Sequence, residues 1–354
     1  MNRFLSYILK ILSAVLFSLG VLFLLNEHEI SKLLESSEEV NILFNPKHQQ
    51  SIIDFKLNQK KREISIIGSS RTAGFEKEMF SNESVYNYSM IVNSITDIKN
   101  LIIDLNLSKG DTVVLGLDQW NFNSSYFSRL SNSYKINNIN FPNTLLDDRK
   151  ETSDYLLIGG KAIENFSGFK NDGSYFYGKR FIVPKPELED YLFTDTYSRI
   201  QEGNRRFEYG SKVDLKQIKT LEELLIYLQK NKITLVGFFP PFAPSVNNKM
   251  NNTRYEYSYI NESSKLVTQL FHKYGFKFSD LTKIDLYEDS FYLDGFHCNR
   301  NVYYYILKVL GISINPNFKN EFEISEHDKI NLNNYFTDLD YLMVMIKQSY
   351  NSKD

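Results

Sequence analysis

Only one cysteine, Cys298, occurs in the 354 residues, so no internal disulfide can form and a cysteine-based zinc site is excluded. Neither sign of charge is in surplus. Lys plus Arg number 41 and Asp plus Glu 43, a net charge of −2. Without a basic excess there is little to neutralise a phosphate backbone, which argues against nucleic acid as a partner. No internal repeat is evident, and histidines number only five, so each can be weighed individually. What the chain does have is a 42% hydrophobic fraction, enough for one large domain or two modest ones with a sizeable core. Aromatics reach 15%, with many Tyr and Phe in the middle of the chain. Burial is the ordinary reading of that content, and a ligand-contacting surface is the alternative.

The run at 4–25, FLSYILKILSAVLFSLGVLFLL, is almost wholly apolar and long enough to cross a bilayer as a helix. Arg3 and Lys10 lie toward its start, and Glu27 and Glu29 follow its end. The positive-inside rule then predicts a cytoplasmic N-terminus and an extracytoplasmic remainder. A cleaved signal peptide and a buried soluble helix are the competing readings. No small-x-small cleavage site follows the apolar run, which favours an uncleaved anchor.

Beyond a polar stretch at 27–61, read as a juxtamembrane helix and linker, short apolar runs predict strands at 64–67, 85–88, 113–117, 233–239 and 276–278. Apolar residues at helical spacing predict helices over 94–107, 215–230, 262–274 and 302–310. Strands alternating with helices imply an α/β domain with parallel strands and crossover connections. Residues 120–210 break this rhythm and read as a long insertion with short hairpins, turning at pairs such as Asp172-Gly173. Residues 316–354 form a polar tail with an apolar group at 341–346.

Two segments carry candidate chemistry. Gly68-Ser69-Ser70-Arg71-Thr72 follows the first sheet strand, where open α/β sheets bind ligands. A serine at the start of a helix there exposes its hydroxyl, and its own backbone N–H can help hold an oxyanion. Asp294-Gly295-Phe296-His297 precedes the last helix. A carboxylate three residues before a histidine can reach Nδ1–H in one turn, leaving Nε2 to take a proton from a serine. Each alone also reads as an ordinary turn. Cys298, directly after the histidine, is expected to point elsewhere. Trp120, the only tryptophan, suits core packing or glycan stacking. The Pro240-Pro241 pair with Pro244 shapes a loop bordering the site, where substrate contact is the alternative.

Together, the order and spacing of the two segments resemble the SGNH (GDSL-like) hydrolase superfamily over roughly 64–310, outside the insertion. The resemblance implies a three-layer α/β/α domain over 62–315, carried on an anchor at 1–26. It makes Ser70 the nucleophile, His297 the base and Asp294 the acid of a triad. It implies no metal or organic cofactor. The pattern departs at the oxyanion blocks. Where the family has Gly after its second strand, Asn87-Tyr88-Ser89 stands, and Ser89 is expected to offer a backbone N–H. Where the family has Gly-x-Asn-Asp, Gly116-Leu117-Asp118-Gln119 stands, so Asp118 falls at the Asn. A carboxylate cannot donate unless protonated, and its charge opposes an oxyanion, so Asn121 or Gln119 is the expected replacement.

With an anchor and a large insertion, the chain is similar to membrane-anchored SGNH-like proteins that O-acylate cell-envelope polymers. Alginate acetylation proteins and the D-alanyl-lipoteichoic acid transfer protein D are of that type. The resemblance implies acyl transfer, O-acetylation for preference, to an envelope polysaccharide beside a membrane-bound O-acyltransferase. Deacylation of an envelope glycan by the same residues is one rival. An inactive glycan-binding or scaffold subunit, favoured by Asp118, is another.

Overall fold

Four short runs rich in apolar residues, with the polar segment KFSD at one edge, make the central sheet. Residues 40–42, 49–57, 59, 61–126, 157–159, 167–177, 181, 193–252, 256–282 and 288–318 are described by a computed structural model. In chain order the strands are β1 (Val40–Ile42), β2 (Ile64–Ile67), β3 (Val85–Asn87), β4 (Thr112–Gly116), β5 (Leu157–Gly159), β6 (Gly168–Phe169), β7 (Tyr175–Phe176), β8 (Thr234–Phe239) and β9 (Lys277–Asp280). β2, β3, β4, β8 and β9 form one sheet in the order β3-β2-β4-β8-β9, every pairing parallel. The interior strands are buried on both faces: Ile66, Ile67, Val113, Val114, Leu115, Phe238 and Phe239 are all at 0% exposure. The helices are α1 (Gln49–Leu57), α2 (Ile95–Asp104), α3 (Thr194–Glu202), α4 (Leu215–Lys230), α5 (Pro244–Met250), α6 (Tyr259–Lys273) and α7 (Arg300–Leu310).

All five expected sheet strands form, as do the expected helices, here α2, α4, α6 and α7. The protein is α/β, with helices flanking a parallel five-stranded sheet. One difference lies between β2 and β3. An α-helical crossover is expected there, and the structure has two 3₁₀ turns instead, Ser70–Thr72 and Lys77–Met79. The chain runs from β2 to β3 on one side and then returns to β4 on the other. The carboxyl ends of β2 and β4 therefore bound the topological switch point, the usual ligand crevice of such sheets.

Aromatic side chains of the described part of the insertion pack into the core. β6 and β7 form the expected antiparallel hairpin, turning at Asp172-Gly173. Gly173 has φ +78°, and a Cβ there would stand 2.3 Å from the Asn87 carbonyl oxygen. Phe169, Phe176, Phe181, Phe193 and Phe207 are all buried, so burial accounts for these aromatics. Of the polar stretch at 27–61, α1 packs on the domain. Its Lys56 is fully buried, and the ammonium donates to the carbonyls of Asn87, Ser89 and Gly173. Burial pulls its pKa well below the usual lysine value. The expected anchor at 4–25, most of the tail and residues 127–156 of the insertion lie outside the described residues. Among the described residues no helix is long and apolar enough to cross a membrane.

Candidate active site

β2 delivers Ser70 to the switch point through a glycine that nothing larger replaces. A Cβ on Gly68 would sit 2.6 Å from Thr72 Oγ1 and 2.8 Å from the Gly116 carbonyl oxygen, where β2 leaves the sheet beside β4. Ser69 Oγ accepts from the Arg71 N–H at 3.1 Å and caps the turn that follows. Ser70 thus opens a single 3₁₀ turn rather than the expected helix.

The segment 294–297 reaches the same place from the other end of the chain. Asp294 Oδ1 accepts the backbone N–H groups of His297 (2.9 Å) and Phe296 (3.2 Å), closing a tight turn. Gly295 makes that turn at φ +96°, and a Cβ there would meet Val246 at 2.6 Å. Asn299 then caps α7, accepting from the N–H groups of Asn301 and Val302, so the chain passes directly from the histidine into the helix. Phe296 is buried between Trp120 (centroids 6.4 Å apart) and Phe207 (5.8 Å), which fixes the turn against the core.

The two segments meet in one hydrogen-bond chain. Asp294 Oδ2 lies 2.7 Å from His297 Nδ1, and Ser70 Oγ lies 2.7 Å from His297 Nε2. An ionised carboxylate only accepts, so Nδ1 carries the hydrogen and Nε2 accepts from the serine hydroxyl. Burial opposes the charge on Asp294. The His297 ring and the two backbone donors outweigh it and hold the carboxyl below the usual carboxylate range. The arrangement can take a proton from Ser70 as its oxygen attacks an electrophile, and can return it to a leaving group.

The residues expected at the oxyanion site fare differently. Ser89 is fully buried. Its single N–H donates to Asn87 Oδ1 at 2.9 Å, and its hydroxyl pairs with Thr72 Oγ1 at 2.6 Å. The N–H expected to face a ligand is therefore committed inside the protein. Gln119 is likewise committed: its amide nitrogen donates to the Pro240 carbonyl and to Thr282 Oγ1, both at 2.9 Å. Asn121 lies in the 3₁₀ turn Gln119–Phe122, and its N–H donates to the Asp118 carbonyl. Asp118 is 4% exposed, with Oδ1 3.6 Å from Arg71 Nη1. Burial raises its carboxyl above the usual range, against the pull of Arg71, Arg206, a hydrogen bond with the Ser69 side chain and His297. Trp120 is 3% exposed, so it packs the core and presents no face for a sugar to stack on. The Cys298 thiol is buried and pushed up to about 12, which leaves it no thiolate for chemistry near neutral pH.

Three residues of the site carry no local motif. Tyr177, at the end of the insertion hairpin, donates to the Ser70 carbonyl at 2.8 Å and lays its ring 5.5 Å from that of His297. Thr196 of α3 donates to the Asp294 carbonyl at 2.7 Å. Arg71 is buried, with Nε donating to the Phe296 carbonyl, Nη1 to Gln119 Oε1, and Nη2 to the Pro240 and Pro241 carbonyls. The proline carbonyls thus anchor an arginine. The one available signal is a cation directly after a serine in a segment of otherwise small residues. Compared with known proteins, the chain matches no family model and no curated protein.

Proposed function

We propose that the protein is a serine-dependent acyltransferase of the SGNH type. Its α/β domain has three layers and is held outside the cytoplasmic membrane by the apolar segment at 4–25. The observation that carries this is the Ser70–His297–Asp294 hydrogen-bond chain, 2.7 Å at each link, at the switch point of the sheet. Ser70 Oγ attacks an acyl carbonyl and gives its proton to His297 Nε2, and the tetrahedral oxyanion rests on the Ser70 backbone N–H. Collapse expels the donor's leaving group, which takes the proton from His297 and leaves an ester on Ser70. An acceptor hydroxyl then loses its proton to His297 and attacks that ester, and Ser70 regains the proton as it leaves. The acceptor we assign is an envelope polysaccharide, the acyl group acetyl, and the donor-side partner a membrane-bound O-acyltransferase.

Transfer differs from hydrolysis only in what attacks the acyl-enzyme, so the acceptor decides the outcome. The full-length chain should hydrolyse a simple acetyl ester slowly. It should turn over faster when an envelope glycan is added, and mass spectrometry should count new acetyl groups on that glycan. Removal of acetyl groups from native glycan, with none ever added, would make the protein an esterase. Absence of both reactions would favour a non-catalytic scaffold.

A further inference from the structure

Arg71 stands at the junction of four segments. It follows Ser70 directly. Its guanidinium binds the carbonyl of Phe296, the neighbour of His297, the side chain of Gln119 beyond β4, and the carbonyls of Pro240 and Pro241 beyond β8. The ring of Phe242 lies 4.2 Å from the guanidinium carbon and that of Trp120 5.2 Å. A planar, always charged group with a fixed fork of donors is suited to hold so many acceptors at once, which an ammonium cannot do. Buried charge needs a counter-charge, and Asp118 Oδ1 supplies it at 3.6 Å. That atom is buried and has no hydrogen-bond donor among the described residues, and the carboxylate is held by a hydrogen bond with the Ser69 side chain and by the charge of Arg71.

We propose that Arg71 and Asp118 form a charge pair that aligns the serine with His297 and sets the balance between imidazole and imidazolium. Arg71 acts as the positioning residue and Asp118 as its counter-ion. The inference rests on the proposed serine chemistry only for its effect on rate. The other groups around His297 are Asp294 and Cys298 on its own loop, and Tyr177 from the hairpin. Arg206 sits over the Trp120 ring and Arg199 over that of Phe296. These are common to every variant below, so a change of sign between variants reports the pair itself.

The test uses the full-length chain in detergent, with ¹⁵N-labelled histidines, and His297→Asn to assign the resonance. The pH midpoint of the His297 ring signals is read in wild type, Asp118→Asn, Arg71→Met and Arg71→Lys. Removing the negative charge should lower the midpoint and removing the positive charge should raise it, each by at least about half a unit. Labelling of Ser70 by a fluorophosphonate should slow on the order of 100-fold in Arg71→Met, with Arg71→Lys intermediate. Midpoints that stay put, or move in the same direction, would overturn the charge pair. If Arg71→Met does not fold, Asp118→Asn decides alone: a midpoint that does not fall refutes the pair. Opposite shifts in a wild type that no probe labels would leave the pair standing and sink the serine chemistry. Normal labelling with unmoved midpoints would do the reverse.

Discussion

His297→Ala should slow acylation of Ser70 by about 10³-fold or more, because nucleophile and base work as a unit and their losses do not add. The ring nitrogen 2.7 Å from Ser70 Oγ is the base that geometry offers for the hydroxyl proton. The fold should survive, since the turn is held by Asp294 Oδ1, Gly295, the buried Phe296 and the Asn299 cap, not by the imidazole. Asp294→Asn should be almost as damaging for a different reason. The two backbone donors on Oδ1 will keep the amide oxygen on their side. The amide nitrogen then faces His297 Nδ1 and, as a donor, drives the ring hydrogen onto Nε2. A protonated Nε2 cannot accept from Ser70, so a loss of about 10³- to 10⁴-fold is expected with the fold unchanged. Rates of fluorophosphonate labelling, compared at equal folded fraction by circular dichroism, check both variants.

Glu76→Gln should cost about 3–5 kcal/mol of stability, a large share of the 5–15 kcal/mol typical of a domain. Glu76 is 1% exposed and lies between two cations. Lys170 Nζ and Arg300 Nη2 reach Oε1 at 3.0 and 2.8 Å, and Arg300 Nε lies beside Oε2. Glutamine keeps the size and removes the charge, which leaves both cations buried without their main partner. Burial alone would raise the Glu76 carboxyl, but Arg300 and Lys170 overcome it and hold the pKa at about 2. A carboxyl depressed in the folded state stabilises fully above its unfolded value of about 4.3, and that contribution is lost as pH falls toward about 2. In urea unfolding, wild type should therefore lose on the order of 3 kcal/mol across this window and Glu76→Gln far less. The effect bears on the site, because Lys170 ties the hairpin carrying Tyr177 to the segment after Ser70.

Strands β2, β3, β4 and β8 are legible in the sequence because each is a short apolar run ended by Gly, Pro or a polar turn, and burial demands such runs; the edge strand β9, KFSD, is only half-buried at its centre and lies one to two residues beyond the expected 276–278. Helices α2, α4, α6 and α7 show apolar residues at helical spacing, since each lays one face on the core. α3 and α5 lack that signal. α3 reads TDTYSRIQE and buries only Thr196 and Ile200, so long-range packing rather than local pattern selects it. α5 reads PSVNNKM, seven residues with two asparagines. Ser70, Asp294 and His297 are legible because a tight turn fixes Asp and His within three residues and a strand end fixes the serine. Arg71 and Tyr177 are not, because their partners lie far off in the chain: Arg71 meets Phe296 across 225 residues and Tyr177 meets Ser70 across 107. Ser89 misleads for a similar reason, since the Asn87 side chain captures its N–H.

The central claim is that Ser70 is a nucleophile activated by His297. Full-length protein treated with a fluorophosphonate at neutral pH, digested and mapped by mass spectrometry, tests it directly. Ser70 should be the one modified residue, with labelling abolished in Ser70→Ala. Labelling that persists in Ser70→Ala, or that maps to another serine of the folded wild type, would contradict it.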